Sequence, residues 1–102
     1  MSDGGPDPTP LADALARVRS ELGLPDTDAV HVLMERWPDL VGPDVAAHAR
    51  LDSVRDGTAV VVVDSPLWAT QLRYLETVVV ERANDLAGAG VVTRIRVRVT
   101  PP

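Results

Sequence analysis

The chain has no cysteine, no lysine and no phenylalanine. Because cysteine is missing, disulfide frameworks, thiol catalysis and cysteine-based zinc sites are excluded, and a reducing compartment is the expected one. The sequence also lacks an apolar run long enough to span a membrane. Its opening segment has neither the positive region nor the apolar core of a secretory signal. These absences favour a soluble protein of the cytoplasm.

Groups that carry out catalysis are equally scarce. The two histidines, His31 in a helical pattern and His48 at the start of a strand pattern, have no catalytic motif around them. The phosphate-binding glycine loops G-x-x-x-x-G-K-S/T and G-x-G-x-x-G do not occur. His48 with Asp44 or Asp52 forms a conceivable metal site, although a solvated histidine is the favoured interpretation. We therefore expect no enzyme, no bound metal and no cofactor.

The chain is acidic, which limits the partners it can have. Its net charge is −5, whereas a domain that binds a polyanion over its whole surface is usually basic. Any contact with nucleic acid is therefore expected to be local. All ten basic residues are arginine, whose planar guanidinium can bind a phosphate through two hydrogen bonds. A small group of arginines can thus form a binding site.

Residues 1–9 are rich in glycine, proline and aspartate, and they predict a disordered tail. The remainder, residues 10–100, is long enough for a single domain with a modest core. A first helix is expected to open at Pro10. We expect its apolar stripe to pack against a second helix. The stripe consists of Leu11, Leu15, Val18 and Leu22.

The second helix is predicted after residues 26–27, with Trp37 at the end of its apolar face. Pro38 disfavours helical geometry at the residue before it, so the helix should end or kink at Trp37. Trp37 is therefore a core candidate. The segment that follows contains glycine and proline among small apolar residues, and it predicts short helical turns hinged at Gly42, the second opened by Pro43.

A β-hairpin is the clearest signal in the middle of the chain. The dipeptide Asp56-Gly57 favours the primed turns that match strand twist. Four valines, residues 60–63, then predict the central strand. The preceding strand, residues 48–55, changes the parity of its apolar positions midway, which indicates a bulge near residues 52–53.

A long helix is predicted to follow the valine strand. Ser65 can cap its first turn, and Pro66 fits the first helical position. Trp68 and Leu72 begin an apolar stripe that continues to a helix end near Gly88. Trp68 could stack on a base, but its place on the stripe favours packing in the core. The sequence therefore predicts one unbroken helix before the last strand.

The last strand is predicted over residues 91–100, with apolar residues on one side and basic residues on the other. The basic row consists of Arg94, Arg96 and Arg98. Neighbouring guanidinium groups on such a strand lie about 7 Å apart. This spacing matches the step of about 6 to 7 Å between successive phosphates of a nucleic acid. A row of arginines can also serve only to prevent aggregation of the sheet edge, and both interpretations stay open.

Together the patterns predict an α+β protein with the element order α-α-β-β-α-β. Its three-stranded sheet carries helices on one face, and the arginine row lies on the open face or at an edge. We expect the chain to be a monomer when alone.

Several sequence blocks are distinctive in combination. They are Trp37-Pro-Asp-Leu-Val-Gly42-Pro, Ala46-Ala-His48, Asp56-Gly57 before a valine strand, Trp68-Ala-Thr-Gln-Leu-Arg73 and Arg94-Ile-Arg96-Val. In this order and at these distances the blocks resemble the DciA family of bacterial proteins, over about residues 10–99. The arginine-rich, lysine-free composition is similar to that of actinobacterial members.

The resemblance implies a non-catalytic, KH-like domain in the cytoplasm, associated with the nucleoid, that binds a DnaB-type replicative helicase and DNA and assists helicase loading. Packing gives no role to Gln71 and Arg73, so these two residues, with Tyr74 beside them, are the candidates for partner binding. The family signature falls on Trp37, Gly42, Trp68, Gln71, Leu72 and Arg73, and Gly57 is a further structural position.

Three departures bear on nucleic-acid binding, two of them from the KH pattern and one from the pattern of many relatives. The chain has no G-x-x-G loop of the kind that clamps the nucleic-acid backbone in KH domains, and it has one predicted helix where a KH domain has two. It also reaches Pro102 without the basic tail of many relatives, so we expect weak DNA binding. The alternatives are a general single-stranded RNA or DNA binder without a helicase partner, and a pure protein-interaction module.

Overall fold

The fold is built on a three-stranded sheet with helices packed on one of its faces. The computed structural model describes residues 8–22 and 27–101. In chain order the elements are α1 (Pro8–Glu21), α2 (Thr27–Glu35), α3 (Trp37–Val41), α4 (Pro43–Ala46), β1 (Ala49–Arg55), β2 (Thr58–Val63), α5 (Pro66–Tyr74), α6 (Glu76–Ala87) and β3 (Arg94–Val99). The predicted α+β class, with a three-stranded sheet and helices on one face, is confirmed. Among the described residues, no helix is long and apolar enough to cross a membrane.

The valine strand β2 lies between the other two strands, as predicted, because the sheet order is β1-β2-β3. Strand β1 is antiparallel to β2, whereas β3 is parallel to it. A parallel neighbour requires a long crossover, which α5 and α6 supply. On the side that faces the helices, Val61 and Val63 are fully buried. The sheet therefore packs against the helices through side chains of its central strand.

The turn between β1 and β2 is made by Asp56 and Gly57, whose φ angles are 52° and 78°. This is the primed geometry that the sequence predicts. A Cβ atom on Gly57 would lie 2.5 Å from Thr93 Oγ1, so glycine is the residue that fits. The Gly57 carbonyl accepts hydrogen bonds from the backbone N–H groups of Thr93 and Arg94, at 2.6 and 3.1 Å. The hairpin thus also fixes the start of β3.

The bulge predicted in the first strand is confirmed. The register between β1 and β2 shifts between Leu51 and Ser53, which makes Asp52 the extra residue. Because of this extra residue, Leu51 and Val54 both point into the core although they differ in parity. The bulge therefore reconciles the apolar positions of β1 with a single buried face.

Trp37 is buried at the start of α3, with 7% of its surface exposed. Its indole Nε1–H donates a hydrogen bond of 2.9 Å to the carbonyl of Ala49, the first residue of β1. Leu72 of α5 is fully buried in the same core. Gly42 adopts a φ of 91° between α3 and α4, so the predicted hinge is present. These residues connect the short helices to the sheet.

The prediction of a single long helix between β2 and β3 is wrong. The structure has two helices, because Leu75 leaves helical geometry with φ −89° and ψ 1°. The Leu75 N–H is shared between the carbonyls of Gln71 and Leu72, which tightens the last turn of α5. Just after the break, Glu76 Oε2 accepts a hydrogen bond of 2.8 Å from the Ile95 N–H. With two helices at this point, one of the two expected departures from the KH pattern disappears.

The predicted packing of α1 against α2 is also wrong. A contact at the end of α1 is a hydrogen bond of 3.2 Å from Arg55 Nε to the Leu22 carbonyl. Helix α1 begins at Pro8, so the predicted tail is two residues too long at that end, and residues 1–7 lie outside the described residues. The amphipathic pattern predicts the helix but not its partner. The apolar side chains that remain exposed are Leu11, Leu15, Val18 and Leu22.

Two smaller predictions are wrong as well. Ser65 stands at the N-cap of α5, but its side chain makes no capping hydrogen bond. Strand β3 begins at Arg94 rather than Val91. The reason is Asn84, whose Nδ2 donates to the Val92 carbonyl at 2.7 Å and whose Oδ1 accepts from the Val92 N–H at 2.9 Å. The backbone of Val92 is therefore bound to α6 instead of to the sheet.

Candidate nucleic-acid interface

Strand β3 places its apolar and basic side chains on opposite faces of the sheet, because successive residues alternate. Ile95 and Val97 pack against the core. Arg94, Arg96 and Arg98 are exposed on the other face, away from the helices. The structure therefore places the three predicted arginines in one row, on the open face of an edge strand.

The strand register adds two more arginines to this face. Arg50 and Arg98 both pair with Val62, and Arg55 and Arg94 both pair with Thr58. Side chains of directly opposed residues point to the same side of a sheet. The face therefore gathers half of the ten arginines in the chain. We call this surface, which consists of Arg50, Arg55, Arg94, Arg96 and Arg98, the open arginine face.

The sequence prediction omits Arg50 and Arg55, although a signal for both exists. With a two-residue turn after it, Arg55 must pair with Thr58. Counting one bulged residue then places Arg50 opposite Val62. The pairing of the hairpin, followed residue by residue, is thus enough to find them.

Two of the arginines donate hydrogen bonds to uncharged oxygen atoms. Arg94 Nε donates to Thr58 Oγ1 at 2.8 Å, and Arg55 Nε donates to the Leu22 carbonyl at 3.2 Å. Arg96 makes no hydrogen bond or ion pair with any described residue. The two partner oxygens carry no charge, and Arg96 has no polar partner among the described residues. No described acidic side chain therefore neutralises the positive charge of these three guanidinium groups.

The open arginine face is positive although the chain as a whole is acidic. Of the residues in the three strands, Asp52 alone is acidic, and it lies on this face near Arg50 and Arg98. This separation of charge gives the sheet a local positive potential, which can attract phosphates despite the net charge of −5. Asp56 is exposed in the hairpin turn, and the other exposed acidic residues outside the strands lie on the helices: Asp13, Glu21, Asp28, Glu35, Asp39, Asp44, Glu81 and Asp85.

No aromatic ring belongs to the open arginine face. The chain has two tryptophans and one tyrosine, and all three are in helices. Trp68 is half-buried and stacks on His48, with ring centroids 4.4 Å apart and an interplanar angle of 7°. Tyr74 is 85% exposed on α5. The face can contact phosphates, but it offers no ring on which a base could stack.

His48 is paired with Asp64, and neither Asp44 nor Asp52 is its partner. Its Nδ1 lies 2.8 Å from Asp64 Oδ2, and its ring lies flat on Trp68. Within the part of the chain that the structure describes, no group of three or more histidine, aspartate or glutamate side chains could hold a metal ion. The residue pairing suggested for a metal site is therefore wrong.

The three candidates for partner binding are exposed on α5 but do not share one face. Residues two positions apart in a helix point about 160° apart, so Gln71 and Arg73 lie on opposite flanks. Gln71 borders a groove of about 400 Å³ between α4 and α5, lined also by Gly42 and Trp68. The two blocks of the family signature therefore meet at this groove, and Tyr74 lies about 60° from Gln71.

Arg73 makes no hydrogen bond or ion pair with any described residue. The acidic residue three positions later, Glu76, accepts a hydrogen bond from the Ile95 N–H. Arg73 and Glu76 therefore form no ion pair, although their spacing on a helix would allow one. No contact within the described fold explains an arginine at this position.

Residues 10–97 match the family model described as "Dna[CI] antecedent, DciA". A UPF0232 protein of Streptomyces coelicolor is 41% identical over 95 residues, which are 91% of this chain and 50% of that protein. A UPF0232 protein of Rhodococcus jostii is 32% identical over 91 residues, covering 89% of this chain and 48% of the relative. One from Mycobacterium tuberculosis is 30% identical over 91 residues, covering 89% and 49%.

The chain thus spans about half the length of the curated relatives it matches. The family match extends over nearly all of the described fold, from the first helix to the last strand. The resemblance inferred from the sequence blocks is confirmed, and the chain belongs to the DciA family.

Proposed function

We propose that the protein is a non-catalytic adaptor in DNA replication, which binds a DnaB-type replicative helicase and DNA in the cytoplasm, at the nucleoid, and assists helicase loading. Membership of the DciA family supports the helicase-loading role. The observation that carries the DNA-binding part is the open arginine face, which gathers half of the arginines on one side of an acidic protein.

The geometry of the open arginine face suits a phosphate backbone. Along β3 the arginines repeat about every 7 Å, and across the sheet Arg50 and Arg98 are separated by two strand spacings, about 10 Å. Contacts in both directions allow more than one phosphate to be bound at once. Because the face is lined by guanidinium groups and not by aromatic rings, DNA binding is expected to depend on charge and salt concentration rather than on base sequence.

The helicase contact is assigned to α5, on the other side of the sheet. Arg73 and Tyr74 are exposed there, and arginine and tyrosine are enriched at the energetic centres of protein interfaces. Gln71, beside the groove, provides a second contact region on the opposite flank of the helix. With the arginines on one face and α5 on the other, DNA and helicase can bind at the same time.

The alternative is a general single-stranded RNA or DNA binder with no helicase partner. Such binders usually stack bases on aromatic side chains, and the open arginine face has none. The link between α5 and α6 is Leu75 followed by the acidic Glu76, without the glycines of a backbone-clamping loop. Both features favour the adaptor over the general binder.

Two measurements on the full 102-residue chain test the proposal. Biolayer interferometry against the DnaB-type helicase of the source organism should show saturable capture. Fluorescence anisotropy with duplex DNA and with single-stranded RNA of equal length should show DNA binding that weakens between about 50 and 200 mM salt. Tight RNA binding together with no helicase capture would establish the alternative instead.

A further inference from the structure

Asp52 is an acidic residue inside a positively charged surface. It is the bulged residue of β1, and its two carboxylate oxygens approach different arginines. Oδ1 lies 3.5 Å from Arg50 Nη1, and Oδ2 lies 3.7 Å from Arg98 Nη2. Arg50 and Arg98 belong to the two outer strands. The carboxylate therefore bridges the sheet above the central strand.

The floor below this bridge is Val62 of β2. It is paired with Arg50 on one side and with Arg98 on the other, and it is 6% exposed although it points away from the helices. Val60, the next residue of β2 on this face, has one arginine neighbour and is half-buried. The side chains around Val62 thus cover the floor, while the charged groups above it stay exposed to solvent.

We propose that Arg50 and Arg98 form a phosphate-binding site that Asp52 occupies in the free protein. A backbone phosphate of DNA carries one negative charge on two terminal oxygens, as the Asp52 carboxylate does, and arginine binds both groups in the same geometry. When DNA binds, a phosphate replaces the carboxylate between the two guanidinium groups, and Asp52 turns toward solvent. This inference rests on the proposed binding of DNA by the open arginine face.

The distances make this exchange feasible. Both contacts of Asp52 are longer than the roughly 2.7–2.9 Å of a strong charge-assisted hydrogen bond, and ion pairs between exposed side chains are weak. A single free phosphate, bound at this site alone, competes poorly with a carboxylate that is always present. A polymer of phosphates gains further contacts at Arg94 and Arg96. Asp52 thus makes the face selective for a polyanion over a small anion.

The test compares Asp52→Asn with Asp39→Asn, which removes the same charge from α3, where Asp39 pairs with Arg36 at 2.6 Å. Anisotropy with duplex DNA at low salt should show about fivefold tighter binding for Asp52→Asn. The plot of log affinity against log salt should steepen by up to about 0.9, because the variant no longer carries the negative charge that opposes the phosphate at this site. Asp39→Asn should bind DNA like the natural protein.

A second measurement needs no DNA. Inorganic pyrophosphate is titrated into the natural protein and both variants while the backbone amides are followed by NMR. In Asp52→Asn the amides of Arg50 and Arg98 should shift and saturate, whereas in the natural protein and in Asp39→Asn they should shift much less. Equal shifts in all three proteins would overturn the inference.

The outcomes separate this inference from the proposed function. If the natural protein binds DNA through the open arginine face and Asp52→Asn binds no tighter, the inference fails and the proposed function stands. If neither protein binds DNA and pyrophosphate moves no arginine amide, both fail. An equal gain for Asp39→Asn reduces the effect to net charge. Tighter helicase capture by Asp52→Asn without tighter DNA binding assigns the site to an acidic protein surface and overturns the phosphate assignment.

Discussion

The two faces of the sheet are formed by the same three strands, because successive side chains of a strand point to opposite faces. One face buries Val61, Val63 and Ile95 against the helices, and the other presents arginines to solvent. A slip of one residue in register would bury the arginines, so the apolar face holds the charged face in place. The positions of the surface arginines are therefore set by the apolar residues that pack against the helices.

The largest expected effect on stability comes from truncating a large side chain in the core. Trp37→Ala removes the packing of an aromatic ring and leaves the Ala49 carbonyl without its indole donor, which should cost about 3–5 kcal/mol of unfolding free energy. Urea unfolding measures the loss. Tyr74→Ala, an exposed aromatic on α5, is the control and should change stability little. A melting-temperature shift of only about one or two degrees for Trp37→Ala would place Trp37 outside the core.

The turn that joins β1 and β2 gives the next effect. Gly57→Ala forces a positive φ on alanine and pushes Cβ against Thr93 Oγ1, so stability should fall by about 1–3 kcal/mol. Gly90→Ala is the matched control, since Gly90 has a φ of 80° but no atom within 4 Å of an added Cβ. The difference between the two variants isolates the contact with Thr93. Equal losses would mean that Thr93 moves aside without cost.

Neutralising the charged side should leave the fold intact and reduce DNA binding. In the variant that replaces Arg94, Arg96 and Arg98 by Gln, affinity at low salt should fall about tenfold or more, and the salt slope should shrink by up to about 0.9 per lost phosphate contact. The buried face of β3 is untouched, so thermal melting should stay close to that of the natural protein. Arg36→Gln, on the helical side, is the control. Unchanged affinity and slope would leave the row with its anti-aggregation role alone.

The last prediction distinguishes binding of the helicase from binding of DNA. Arg73→Ala should keep the melting temperature and DNA affinity, because Arg73 makes no hydrogen bond or ion pair with any described residue and lies across the sheet from the open arginine face. Capture of the helicase in biolayer interferometry should weaken about tenfold or more, which is about 1.4 kcal/mol. Arg36→Ala removes an exposed arginine elsewhere and should capture normally. Equal affinity for Arg73→Ala and the natural protein would return Arg73 to the solvated surface.

Features with a local cause follow from the sequence. The hairpin turn depends on Asp56 and Gly57 themselves, and the bulge follows from the parity change between Leu51 and Val54. The hinge at Gly42 likewise rests on a residue that tolerates its φ of 91°. The alternation in β3 predicts the arginine row for the same reason, because strand geometry alone decides which side chains share a face.

Features with a distant cause do not follow from the sequence. The break at Leu75 is followed by the hydrogen bond between Glu76 and Ile95, 19 residues further on, and no local breaker announces it. The apolar stripe of α1 indicates a helix, but periodicity says nothing about which surface covers the stripe. Arg50 and Arg55 are an intermediate case: spacing along one strand does not reveal them, but the predicted turn and bulge, followed along the hairpin, do.

The crossover between β2 and β3, residues 64–93, means that the charge pattern exists only in the folded chain. In the unfolded chain Arg94, Arg96 and Arg98 stay close in sequence, but Arg50 and Arg55 are far from them and the five-residue face does not exist. If the open arginine face binds DNA as proposed, DNA binds the native state more tightly than the denatured one. Mass action then adds at most about 2.7 kcal/mol to the unfolding free energy when DNA is present at 100 times its dissociation constant. The protein would therefore resist proteolysis while on DNA and become more susceptible once released.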